Sequence, residues 1–240
     1  MSVEKLKSII ESNDNIVFFG GAGVSTESNI PDFRSSTGLY KTKNNFEFPP
    51  ETMLSHSFFI KHSEDFYEFY KSKMIYKSAL PNAAHKALAI LERSGKLQAV
   101  ITQNIDGLHQ AAGSKNVLEL HGSIHRNYCT QCGKFFNLEY ILSSPTIPKC
   151  NICKSIIKPD VVLYEENLNM DILSRAISYI ENSKVLIIGG TSLNVYPAAS
   201  LIQYYKGTHL ILINKTSTPF DSKADLVIHK NIGEVLHNVL

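Results

Sequence analysis

No run of apolar residues in this 240-residue chain approaches the roughly 20 needed to span a bilayer. The opening MSVEKLKSII also lacks the roughly 7 to 15 apolar residues of a signal-peptide core. No membrane association and a cytoplasmic location are therefore expected. Charge of one sign is equally scarce: the net charge is +2 with 19% charged residues, so there is no basic stripe to argue for a nucleic-acid partner. Cysteine is confined to four residues, all between Cys129 and Cys153. They form two close pairs and leave none for a disulfide framework, which suits a reducing compartment. Internal repeats and low-complexity tracts are absent too, which excludes solenoids and disordered tails.

What is present describes an ordinary globular chain, with 43% hydrophobic residues and 13 glycines. Apolar residues at Val3, Leu6, Ile9 and Ile10 have helical spacing. Short apolar runs follow at Ile16 to Phe19, Ala99 to Thr102, Val117 to Leu120, Val185 to Ile188, Leu210 to Ile213 and Leu226 to Ile228. They read as buried parallel strands. Segments of helical period lie between them at Ala83 to Arg93, Ile172 to Glu181 and Ala198 to Tyr205. Such alternation predicts an α/β fold, a doubly wound parallel Rossmann-like sheet. Two stretches interrupt it. Residues 37–80 are aromatic and helix-prone, and residues 126–158 carry the cysteines. Both are expected to form a second, smaller domain, a helical insertion plus a zinc-binding module. The nucleotide-binding domain would then comprise 1–36, 81–125 and 159–240.

Three constellations carry chemistry. Gly21-Ala-Gly23-Val-Ser25-Thr26 follows the first strand, where glycines let the backbone turn tightly and approach a pyrophosphate. Alone it is a weak signal, because Thr26 replaces the third glycine of the usual fingerprint and a ligand-free tight turn reads equally well. Cys129-x2-Cys132-x17-Cys150-x2-Cys153 is a strong one. Two chelating turns supply four thiolates to a closed, structural Zn2+ site, against the plainer possibility of four unligated cysteines. The third set sits at strand ends: Gln103, Asn104, Ile105 and Asp106, then His121, then Thr191 and Ser192, then Asn214. Polar caps and Asx turns would explain any one of these locally.

Taken together with Ile30-Pro-Asp-Phe33-Arg34-Ser, Thr102-Gln-Asn-Ile-Asp-Gly-Leu-His109, Leu120-His-Gly122 and Gly190-Thr-Ser-Leu193, these motifs resemble the sirtuin NAD-dependent deacylases, in order and spacing, along nearly the whole chain. The resemblance implies a protein-lysine deacetylase using NAD as co-substrate and carrying a structural zinc. The acyl oxygen of a modified lysine would displace nicotinamide, and the acyl group would end on ADP-ribose. His121 would be the general base and Asn104 would order the ribose and a water. Ala22, Thr26, Phe33, Arg34, Gln103, Ile105, Asp106, His121, Thr191, Ser192, Asn214 and the backbone at Ile232 would bind NAD. The remaining histidines, including His85, His109 and His125, are given structural roles. Val162, Tyr164, Leu193 and Asn194 match the segments that clamp a substrate peptide as an added strand. The chain departs from the family at Glu165, where Gly is usual, and at Asn29. Tyr70 and Lys73 align with a Tyr-x-x-Arg pair that reads an acyl carboxylate in the desuccinylase branch, although a solvated helix face explains them as well.

Acyl-lysine proteins are thus the expected partners. Desuccinylation or long-chain deacylation, mono-ADP-ribosyl transfer and a non-catalytic scaffold are the alternatives. Loss of acyl mass, protein-bound ADP-ribose and absence of nicotinamide release separate them.

Overall fold

The computed structural model describes residues 2–33, 35, 38–41, 46–194 and 196–240. In chain order the elements are α1 (Ser2–Glu11), β1 (Ile16–Gly20), α2 (Pro50–Met53), α3 (His56–Lys61), α4 (Ser63–Lys73), α5 (Ala83–Arg93), β2 (Leu97–Thr102), α6 (Leu108–Ala111), β3 (Val117–Glu119), β4 (Gly122–Cys129), β5 (Phe135–Phe136), α7 (Leu138–Ser143), β6 (Ile157–Val161), α8 (Met170–Asn182), β7 (Val185–Gly189), β8 (His209–Ile213), β9 (Leu226–Ile228) and α9 (Ile232–His237). The stretch read as a helix at 198–205 is a 3₁₀ turn, Ala198–Tyr204. Helical spacing alone does not distinguish the two over so short a run.

Six strands form one parallel sheet in the order β3-β2-β1-β7-β8-β9. β1 is buried along its whole length, and its side chains alternate between two cores as a strand covered on both faces requires. Ile16 and Phe18 pack with α1, α5 and α9, while Val17 and Phe19 pack with α8 and the 198–204 turn. The chain runs outward from β1 to β2 and β3, then returns to β7 on the other side of β1 and runs outward again. Successive crossovers therefore diverge at the β1/β7 boundary and open a crevice at the carboxyl ends of those strands.

A second, three-stranded sheet has the order β5-β4-β6. Phe58, Phe59, Phe66, Tyr67, Phe69 and Tyr70 of α3 and α4 share one buried core with Ile124, Phe136, Ile141 and Ile157. The helical insertion and the cysteine segment, remote in sequence, are thus one packed unit. Tyr67 Oη donates to the Ile157 carbonyl, and Lys71 Nζ reaches the Ser144 and Thr146 carbonyls at 2.6 and 2.8 Å. β4 begins at Gly122 and β6 ends at Val161, so this sheet extends beyond 126–158 on both sides.

The chain passes between the sheets at Leu120 and His121. Gly122, with φ +76°, turns it there, and a Cβ at that position would lie 1.8 Å from the Asp160 carbonyl oxygen. No L side chain fits. Beside this crossing, Arg126 donates to Glu119 of β3 at 2.6 Å and to Asp160 of β6 at 2.7 Å, a staple between the two sheets.

Candidate active site and metal centre

The crevice is a cleft of about 1060 Å³ between the large sheet and the smaller unit. Its floor is made by the first residues after β1, β2 and β7. Gly23 N donates to the Gly190 carbonyl at 2.7 Å, drawing the two loops of the switch point together. Gln103 Nε2 donates to Thr191 Oγ1 at 3.2 Å, which ties the loop after β2 to the loop after β7.

A buried polar chain lies beneath this floor. Asn104 Nδ2 donates to Ser25 Oγ at 3.0 Å, and Ser25 Oγ donates to Asp106 Oδ2 at 2.6 Å. The other Asp106 oxygen accepts from Leu108 N at 2.9 Å, so the Asx-type cap and the network coexist in one carboxylate. With its Nδ2 committed, Asn104 has Oδ1 left for the cleft.

His121 stands at the wall where the two sheets meet. Its Nδ1 lies 2.9 Å from the Gln103 carbonyl, an acceptor only, so Nδ1 carries the proton and Nε2 keeps its lone pair. Burial lowers the pKa of the imidazole below its usual 6.5, against an opposing effect of the Gln103 hydrogen bond. A neutral ring is the form a general base requires. Val162 N donates to the His121 carbonyl at 3.0 Å, which puts the segment after β6 along the same wall.

Deeper in the large sheet, His85 and His109 are fully buried with ring centroids 4.7 Å apart in an edge-to-face arrangement. Burial lowers His85 to about 4, opposed by Asp106. Burial and then His85 lower His109 to about 3. Both are neutral. His85 Nδ1 accepts from Asn82 N in the capping box of α5.

The cysteines form the second centre. All four Sγ atoms lie within 4.8 Å of one another, with Cys129 and Cys153 at 3.3 Å and Cys132 and Cys150 at 3.7 Å. A tetrahedral zinc with Zn–S near 2.3 Å demands edges of about 3.8 Å, so the donor set fits the ion. The two turns are built alike. Gly133 (φ +67°) and Lys154 (φ +64°) are left-handed, and their N–H groups donate to the carbonyls of Cys129 and Cys150 at 3.1 and 3.0 Å. Cys132 N and Ile152 N point at the Cys129 and Cys150 sulfurs at 3.5 and 3.4 Å, backbone donors that steady the charge of thiolates.

The Sir2 family model matches residues 21–197, well over half of the chain. The chain belongs to the Sir2 family. Among similar proteins, an NAD-dependent protein deacetylase of Clostridium tetani is 66% identical over 99% of this Sir2 chain and 96% of its own. One from Cutibacterium acnes is 51% identical over 100% and 98%. Among solved structures, a Sir2 complex with deacetylated p53 peptide and 3′-O-acetyl ADP-ribose superposes with TM-score 0.90 at 39% identity, covering 100% of this chain and 97% of that one. A Sir2 bound to acetylated peptide gives 0.85 at 38%, covering 100% and 97%.

Within the Sir2 fold the cleft brings together Ala22, Phe33, Gln103, Asn104, Ile105, Asp106, His121, Thr191, Ser192 and Asn214, along with Val162, Tyr164 and Lys73. Other expected residues lie elsewhere. Thr26 turns its hydroxyl to the Gly23 carbonyl at 2.9 Å. Ile232 buries its side chain in the core at the start of α9, which leaves the expected contact through its backbone. Leu193 is buried in the other core and Asn194 is exposed. Tyr70 is fully buried, stacked on Phe66 at 5.6 Å, so it is not joined to Lys73 at the cleft. Arg34 lies outside the described residues. Ser25 was not among the expected site residues, yet it is the centre of the Asn104–Asp106 network. Its place inside the glycine motif was the available signal, but a serine there reads as a turn residue.

Proposed function

We infer that this chain is an NAD-dependent protein-lysine deacetylase that moves the acyl group of a modified lysine to ADP-ribose and releases nicotinamide. The observation that carries this reading is the cleft at the β1/β7 switch point, where a neutral histidine with a free Nε2 faces the loops suited to a dinucleotide. Relatives named NAD-dependent protein deacetylase share 66% and 64% of their residues over 99% of the chain.

NAD supplies an activated ribose carbon from which nicotinamide leaves as the acyl oxygen attacks. In our proposal His121 Nε2 takes the proton from a ribose hydroxyl while the Gln103 carbonyl holds the ring and its tautomer. Asn104 Oδ1 accepts from the ribose or an ordered water, and the Ser25 and Asp106 chain fixes the amide's orientation. Ala22, Thr191 and Ser192 contact the phosphates through loop backbone and hydroxyls, and Asn214 the far ribose. Ile105 and Asp106 hold the carboxamide, and Phe33 screens the ribose from water. Val162 and Tyr164 offer the edge along which an extended acyl-lysine peptide docks. Cys129, Cys132, Cys150 and Cys153 hold a structural zinc that takes no part in the chemistry.

We assign residues 1–36, 81–121 and 162–240 to the nucleotide-binding domain and 37–80 with 122–161 to the smaller domain, so that β4 and β6 stay whole. A cytoplasmic location accords with cysteines devoted to one metal site, and among the described residues no helix is long and apolar enough to cross a membrane. Mass spectrometry of matched acetyl-, succinyl- and unmodified-lysine peptides with the zinc-loaded protein, with and without NAD, tests the function. NAD-dependent loss of the acyl mass together with O-acyl-ADP-ribose is expected. Intact peptides with ADP-ribose attached to protein would instead establish a transferase.

A further inference from the structure

We propose that Glu165 is a positioning residue that clamps the segment 162–166 onto the first turn of α3 and thereby sets how tightly an acyl-lysine peptide docks; the proposal rests on the deacetylase reading above. Glu165 has φ +74°, a left-handed conformation that costs a residue with a Cβ and persists only where its surroundings impose it. The surroundings here are specific. Its Oε2 accepts from Ser57 N and its Oε1 from Ser57 Oγ, both at 2.9 Å. One residue earlier, the Tyr164 carbonyl accepts from His56 N at 3.0 Å and Tyr164 N donates to the Leu54 carbonyl at 2.9 Å. The remaining early donor, Phe58 N, is taken by the Ser55 N-cap at 3.2 Å.

The first turn of a helix has N–H groups with no partner inside the helix. In α3 two consecutive ones are satisfied by Tyr164 and Glu165, so helix and segment form one hydrogen-bonded unit. At its other end the same segment hangs from the His121 carbonyl through Val162 N. Glu165 has both carboxylate oxygens spent on Ser57. We assign its effect on a peptide to the conformation of the edge it anchors. An edge ordered before the peptide arrives removes an ordering cost from docking.

The test uses the zinc-loaded full chain. Glu165→Gly relieves the backbone at its positive φ while removing the clamp, so it folds; Glu165→Gln keeps an acceptor for Ser57 N. We expect Glu165→Gly to raise the peptide KM, and the peptide Kd read by fluorescence anisotropy, about tenfold. The kcat and the KM for NAD should stay within about twofold, because the groups at the reacting atoms are untouched. Glu165→Gln should recover most of the peptide affinity, and the Ser57 amide should exchange faster in Glu165→Gly alone. Unchanged peptide KM and Kd in Glu165→Gly would overturn the proposal, as would an equal loss in kcat and in NAD binding. A wild-type protein that leaves acetyl peptides intact would overturn the deacetylase reading instead, and the peptide Kd of the two variants would still decide the clamp.

Discussion

The hydrogen bond from His121 Nδ1 to the Gln103 carbonyl makes one nitrogen a fixed donor and leaves the other a fixed acceptor. Removing the ring should leave the NAD-contacting loops intact, so His121→Ala is expected to bind NAD normally and lose at least about 100-fold in turnover, the usual worth of a positioned base. Unchanged turnover in that variant would rule out the role. Burial sets the pH dependence. Because the folded pKa is lowered, the base stays neutral on descending through pH 6.5, and the acid limb of kcat/KM should fall below that value; a limb above it would contradict the assignment. Ser25 makes a similar argument from the network side. In Ser25→Ala the buried Asn104 Nδ2 and Asp106 Oδ2 each lose a partner, which should cost about 1 to 3 kcal/mol of stability, read by urea denaturation, together with a fall in kcat. The apolar runs before His121, Asn104 and Asp106 place them at strand ends, where polar caps read equally well, so it is the family resemblance that singles them out. Tyr70 was misleading for a physical reason. Its pairing with Lys73 came from alignment with the desuccinylase pattern, whereas Phe66, Tyr67, Phe69 and Tyr70 of α4 are all buried in the core.

Among the elements, the parallel strands were easy to read since burial on both faces makes them continuous apolar runs. β4 and β6 were not, because they carry Arg126, Asn127, Lys158, Pro159 and Asp160, which break the apolar pattern, and Arg126 with Asp160 serves the staple between the two sheets. Arg126 is the clearest case. Its partner Glu119 is only 6% exposed, and removing one member of such a pair leaves a buried charge uncompensated. Arg126 is itself 36% exposed, so solvent screens part of the pair, and Arg126→Ala is expected to destabilise the protein by about 1 to 3 kcal/mol, measured by chemical denaturation; a change within about 0.5 kcal/mol would show the Glu119 charge to be solvated. The cysteine turns give an element-scale prediction too. Binding free energy at such sites is folding free energy, so chelating the zinc should loosen β4, β5 and β6 first. Hydrogen exchange should show protection lost there before it is lost in β1, β2 and β7.

At the scale of the molecule, the buried pair His85 and His109 governs behaviour in acid. Their folded pKa values, about 4 and about 3, lie below the unfolded value near 6.5. Between those limits the unfolded chain binds more protons, so stability is full above pH 6.5 and declines as pH falls through the window. Each histidine contributes a slope of about 1.4 kcal/mol per pH unit. Replacing His109 with a neutral residue of similar size should flatten that decline, which denaturation curves at pH 7 and pH 5 would reveal. The smaller unit of helical insertion and cysteine segment was visible in outline from the interrupted alternation, and they do share one core, but its three-stranded sheet depends on pairings that no local pattern encodes.

The strand order has one more consequence, in time rather than in space. β1 is made long before its partner β7, which begins only at Val185, and Gly23 waits for Gly190. A nascent chain therefore carries an open edge on a strand that is fully buried in the folded protein until β7 is made, a condition that favours aggregation. The two halves of the cleft floor cannot meet until the chain has grown past Ser192. A ribosome stalled before that point would display a formed cysteine module with no nucleotide site behind it.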